Sequence, residues 1–307
     1  MSLAVTKERI RSIDVLRGLI MIIMALDHTR DFFHSEAMIA DPLNPATTTP
    51  ILYFTRWITH FCAPLFVLLS GTSAYLAGRR KTKAEHSLFL IKRGLWLIFM
   101  ELTLVTFGIT FDPLFGIIVL QVIWAIGISM VILGLVVWLP LPVIFALGLI
   151  IFFGHNALDY YEATNPQPGL LYSLLHRANF IPFGKGQLLG IFYPFLAWTG
   201  IMMLGYCMGK WFEPSAAVSL RRRRLLFTGL GLIALFIILR ALNGYGDPIP
   251  WKDPEQGGIR TLLAFLNVQK YPPSLMFSSI ILGIGLLALL FLETVRNRFT
   301  EILKVYG

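Results

Sequence analysis

The sequence predicts an all-α fold, a polytopic membrane bundle of about eight transmembrane helices with its N-terminus in the cytoplasm. Three observations carry that prediction. The 307 residues are 56% hydrophobic and only 14% charged, whereas a soluble domain is about 25% charged. Their apolar residues fall in long unbroken runs, not in the short stretches of alternating polarity that build a barrel. The cations also cluster. Lys7, Arg9 and Arg11 fall on one side with Arg79, Arg80, Lys81, Lys83, Lys92, Arg93, Lys210, the run Arg221 to Arg224, Arg296, Arg298 and Lys304. Asp41, Asp112, Asp159, Glu162, Asp247, Asp253 and Glu255 fall on the other. The positive-inside rule makes the basic side cytoplasmic. It also accounts for the net charge of +9 without nucleic acid as a partner.

Spans are expected at 13 to 33, 51 to 77, 88 to 110, 116 to 138, 141 to 156, 187 to 212, 224 to 243 and 273 to 293, within one domain over 1 to 307. No small-residue cleavage signal follows the first span, so it is retained as a helix. In that span an apolar middle is fenced by Asp14 and Arg17 before it and by Asp27, His28, Arg30 and Asp31 after it. Arg17 and His28 lie about 16 Å apart along the axis, roughly half a bilayer. Steps of three or four put Arg17, Met21, Met24, His28 and Asp31 on one stripe. His28 between Asp27 and Asp31 has what a general base needs, a carboxylate to orient the imidazole. The alternative is a hydrated interfacial cap.

The second span carries Arg56, His60 and Pro64 at steps of four, and Pro64 forces a kink beside His60. His60 is expected at the depth of His28, the two imidazoles facing each other across a polar pocket. The alternatives are a lone buried histidine and an arginine that snorkels outward. On the third span Lys92, Arg93 and Trp96 lie near the cytoplasmic entrance. Glu101 lies deep and needs a partner or a proton. Lys92 and Arg93 with Arg17 form a grip for an anionic ligand, or else anchors among lipid phosphates.

Further along, Gln121 and Trp124 read as interhelical glue, and Gly205 with Gly209 as a packing motif. Arg221 to Arg224 read as a stop signal. Cys62 and Cys207 lie inside apolar runs and build neither a disulfide framework nor a zinc site, and no metal is expected. His86, His155 and His176 are expected at the surface, without a role. Loops 34 to 50, 157 to 186 and 244 to 272 are long enough to be functional.

The phrase RSIDVLRG from Arg11 to Gly18, running into LDHTRDFF from Leu26 to Phe33, resembles the catalytic domain family of heparan-alpha-glucosaminide N-acetyltransferase. RWITHFCAPLFVLLSGTSAYL from Arg56 to Leu76 and FLIKRGLWLIFMEL from Phe89 to Leu102 agree with its bacterial members, and the first hundred residues carry most of the likeness. The resemblance implies a multi-pass enzyme of the bacterial inner membrane. Such an enzyme takes acetyl-CoA as co-substrate from the cytoplasm and acylates an amino or hydroxyl group of a sugar or glycan on the outer face. Asp14 and Arg17 match the opening motif. His28 falls where the namesake has an asparagine and His60 where it has an aspartate, while the namesake's catalytic histidine lies in the first outer loop, where this chain offers only His34. Bacterial relatives continue with further helices, so the resemblance also implies that the chain lacks C-terminal helices.

The expected scheme puts His28 as base, oriented by Asp27 or Asp31, with His60 and Arg56 stabilising the oxyanion. Arg17, Lys92, Arg93 and Trp96 hold the CoA end. The expected partners are an acyl-CoA donor, a glycan acceptor, the bilayer and a second copy in a homodimer. The rival is a proton-coupled transporter with Asp27, His28, His60 and Glu101 as its relay.

Overall fold

The computed structural model describes residues 10–33, 42–44, 47–184, 186–253 and 257–307. Lys7, Arg9, His34, Asp41, Glu255 and the side chain of Asp31 lie outside the described residues. In chain order the α-helices are α1 (Arg11–Phe33), α2 (Pro50–Trp57), α3 (Cys62–Gly78), α4 (Lys83–Met100), α5 (Thr106–Thr110), α6 (Val122–Val136) and α7 (Leu141–Gly154). They continue with α8 (Leu158–Thr164), α9 (Leu170–Leu175), α10 (Phe195–Met208), α11 (Val218–Leu242), α12 (Ile259–Leu266), α13 (Leu275–Leu292) and α14 (Arg298–Tyr306). Among the described residues, four stretches are long and apolar enough to cross a membrane: Pro50–Gly78, Leu141–Thr164, Val218–Leu242 and Leu275–Leu292.

The chain is mostly helical, as expected, and carries one small sheet that the all-α reading did not include. Strands β1 (Ile117–Leu120), β2 (Asn179–Phe183) and β3 (Gln187–Ile191) form a sheet in the order β1-β3-β2. β1 runs parallel to β3 with Ile117 opposite Leu188, and β2 runs antiparallel with Phe183 opposite Gln187. Residues expected to open the fourth and sixth spans are therefore strand. The β-branched run Ile117, Ile118, Val119 suits a pleated ribbon. Gly184 and Gly186, at φ 58° and 82°, lie between β2 and β3, where those angles suit glycine.

Local chemistry sets the helix starts. Thr49 accepts the Leu52 amide ahead of Pro50 in the first turn of α2, Thr82 and Glu85 form a capping box on α4, and Ser274 caps α13. Pro64 has no N–H for the His60 carbonyl, and the chain tightens into a 3-10 turn over Ile58–Phe61 before α3.

Packing centres on α10, whose Trp198 and Met202 are fully buried and which lies against α3 and α7. A Cβ on Gly205 would fall 2.1 Å from the Leu68 carbonyl oxygen, so the small-residue motif packs helices within this chain. The opening motif is also structural. A Cβ on Gly18 would fall 1.8 Å from the Leu303 oxygen of α14, and Arg11 pairs with Glu301 at 2.9 Å. Arg17 sits 3.6 Å from Asp14 and donates to the Leu69 carbonyl at 3.3 Å and to the Ser73 hydroxyl, which ties α1 to α3.

Candidate active site

A loop between α11 and α13 roofs the end of the bundle away from the basic clusters, and buried polar groups hold it down. Arg240, 1% exposed, donates to the carbonyls of Ile249 (3.1 Å), Ala264 (3.2 Å), Phe265 (3.0 Å) and Asn267 (2.6 Å). Asp247 accepts from the Gln269 amide at 2.9 Å, the Ser274 hydroxyl at 2.7 Å and the Ile249 amide at 3.0 Å. Tyr53 of α2 donates its hydroxyl to the Leu263 carbonyl at 2.9 Å. These bonds satisfy the loop's buried backbone. They also fix Lys270 and Tyr271.

Beneath the roof lies a charged cluster. Asp27 accepts from Arg56 Nη1 at 2.6 and 2.9 Å and pairs with Arg30 at 2.9 Å. Lys270, 9% exposed, stands over the Tyr271 ring at 5.1 Å, and that ring meets Tyr193 edge-on at 5.1 Å. His60, 2% exposed, lies within reach of the charges of Lys270, Arg56 and Arg30 and packs edge-on against Phe277 at 5.2 Å. Among the described residues, neither of its ring nitrogens has a hydrogen-bond partner. A buried imidazole without partners is costly unless another molecule supplies one. Cys62 donates its thiol to the Ile20 carbonyl at 3.6 Å and is already used.

The structure does not bring His28 to this cluster. The inward face of α1 runs through Leu16, Ile20 and Asp27, and His28, one residue on, is exposed. The helical phase differs by one residue from the expected stripe, so Met21 is exposed as well. Asp27 orients Arg56 and Arg30, not an imidazole.

At the same end a cavity of about 520 Å³ opens beside Tyr271, lined also by Gln269, Tyr245, Asp159, Glu162 and Asp247. Burial pushes the Asp247 carboxyl above its ordinary value, although the bonds from Gln269 and Ser274 oppose the rise. Sequence reasoning missed Lys270 and Tyr193, and the surface expectation for three histidines is corrected, since His86, His155 and His176 are all buried. One signal was present: His155, Asp159 and Glu162 follow at steps of four and three along one helical face.

The remaining expected residues lie elsewhere. Glu101 is 0% exposed in a π-helical turn, and its Oε1 accepts the Gln121 amide at 2.5 Å, at the N-terminus of α6. That helix end is where a carboxylate belongs. Lys92, Arg93 and Trp96 are exposed on α4, whereas Arg17 is engaged by α3. A second cavity of about 150 Å³ at the basic end is lined by Arg11, Arg221 and Arg296.

Residues 9–239 match the family described as heparan-alpha-glucosaminide N-acetyltransferase, catalytic. No curated protein matches the chain.

Proposed function

The chain belongs to the heparan-alpha-glucosaminide N-acetyltransferase catalytic family, and from that membership we propose that it moves an acetyl group from acetyl-CoA to an amino or hydroxyl group of a sugar or glycan. In this reading it is a multi-pass protein of the bacterial inner membrane with about eight spans, its basic end in the cytoplasm and its loop end outside. Helices at the eight expected positions support the count. Acetyl-CoA supplies the activated acyl group. Exposed Lys92 and Arg93, with Trp96 one turn on, suit its phosphates and adenine, and Arg17 acts by holding α1 on α3. The acceptor enters from the loop-end cavity, whose tyrosines offer stacking faces and whose carboxylates suit an amine or hydroxyls.

One observation carries the site assignment: His60 is buried within reach of the charges of Lys270 and Arg56, and among the described residues neither of its ring nitrogens has a partner. His60 takes the proton from the acceptor nitrogen or oxygen as that atom bonds to the acyl carbon. Arg56 and Lys270 meet the negative charge that develops on the carbonyl oxygen. When the carbon–sulfur bond breaks, His60 returns the proton to the departing sulfur. Asp27, which also pairs with Arg30, holds Arg56 in place. The base role thus passes from exposed His28 to His60.

The test is transfer of labelled acetyl from acetyl-CoA to a panel of amino sugars, hydroxyl sugars and lipid-linked glycans by membranes holding the protein. His60→Gln should lower it by about a hundredfold or more with the protein still folded. Undiminished transfer refutes the assignment. The transporter reading is not favoured, because the family is one of acetyltransferases and Glu101, a member of its relay, is bonded to the start of α6.

A further inference from the structure

The wall of the loop-end cavity holds a set of ligating side chains that take no part in the bond-making and proton-transfer steps of the acetyl transfer. Asp159 and Glu162 project from α8 into the cavity lining, and His176 follows α9 directly. One ligand atom from each lies within 4.8 Å of the others. The set is more than an acidic cluster. His176 is 0% exposed, with Nδ1 2.7 Å from Glu162 Oε1 and Nε2 3.1 Å from Nδ1 of His155, itself 4% exposed. Asn156 donates to Asp159 at 2.6 Å and holds that carboxylate in place. Among the lining residues of the cavity, Asp159, Glu162 and Asp247 face a single cation, Arg177.

We propose that Asp159, Glu162 and His176 bind a divalent transition-metal ion of the zinc or manganese class at the cavity wall. An imidazole with two carboxylates is a donor set for such ions, whereas magnesium and calcium prefer oxygen alone. Three protein ligands leave positions open toward the cavity for water or an acceptor oxygen. With the ion on Nδ1 of His176, the ring proton sits on Nε2 and is donated to Nδ1 of His155. His155 thereby acts as the outer partner that fixes the ligand ring. The proposal stands apart from the acetyl-transfer reading, since binding is measured on the resting protein without acetyl-CoA.

The experiment titrates chelator-treated protein in detergent with Zn²⁺ by calorimetry and with Co²⁺ by visible absorption. One ion per chain is expected, with a cobalt ligand-field band. His155→Asn should weaken Zn²⁺ binding by about tenfold to a hundredfold. Asp159→Asn combined with Glu162→Gln should abolish it, and these partly exposed positions leave the buried histidine pair in place. No saturable binding of either ion up to about 1 mM, the weak end of specific affinities, would mean that the Glu162–His176–His155 chain is structural only. Unchanged affinity in the double variant would place the ion elsewhere. Either result overturns the proposal.

Discussion

Replacing Arg240 by Met keeps an unbranched apolar stem and removes the whole guanidinium fork, which separates the loop clamp from the packing around it. Four carbonyls lose a charged donor. At the low end of charge-assisted bonds, about 1.5 kcal/mol each, the total is about 6 kcal/mol. Ile249 is 63% exposed, and water reaching its carbonyl returns about 1.5 kcal/mol, leaving about 4 to 5 kcal/mol. Only the roof carries that cost. Hydrogen exchange should therefore accelerate over residues 249–253 and 257–267 while α11 and α13 stay protected. Labelled acetyl transfer should fall at the same time, because Lys270 loses its anchor within reach of His60. Unchanged exchange in the roof of a folded Arg240→Met protein would refute the clamp.

Glu101→Leu leaves the part-buried Gln121 amide without its acceptor and should cost about 1 kcal/mol, while Glu101→Gln, which keeps an acceptor oxygen, should cost less in thermal unfolding. Paired Lys92→Ala and Arg93→Ala should raise KM for acetyl-CoA by about tenfold with kcat nearly unchanged, since they act on binding alone. For Asp247, the folded pKa lies above the ordinary 3.8, so the folded state holds its proton more tightly than the unfolded chain. Stability should then decline as pH rises from 3.8 through the raised value. Asp247→Asn should remove that slope in denaturation measured across the same window.

The membrane class, the family and the position of most helices were legible because apolar run length and charge clustering are one-dimensional signals. Helical phase was not. The middle of α1 is apolar all round from Leu19 to Leu26, so its composition does not say which side faces the bundle. A shift of one residue exchanged His28 for Asp27. His60 was legible through Pro64, whose missing N–H marks the local break. Lys270 was not, because a loop has no period and its depth depends on Arg240, 30 positions earlier. The burial of His155 and His176 depends on each other and on Glu162, a pairing that only the folded chain brings together. The strands were missed because Ile117 to Leu120 reads equally well as the start of an apolar helix.

The central claim is that the His60 imidazole carries the proton of the transfer, and chemical rescue tests it most directly. His60→Gly removes the ring and leaves a ring-sized space beside Phe277, which free imidazole can enter. Acetyl transfer should be lost in His60→Gly and return in proportion to added imidazole. Full activity in His60→Gly without imidazole would contradict the account, and so would a folded His60→Gly protein that imidazole fails to restore.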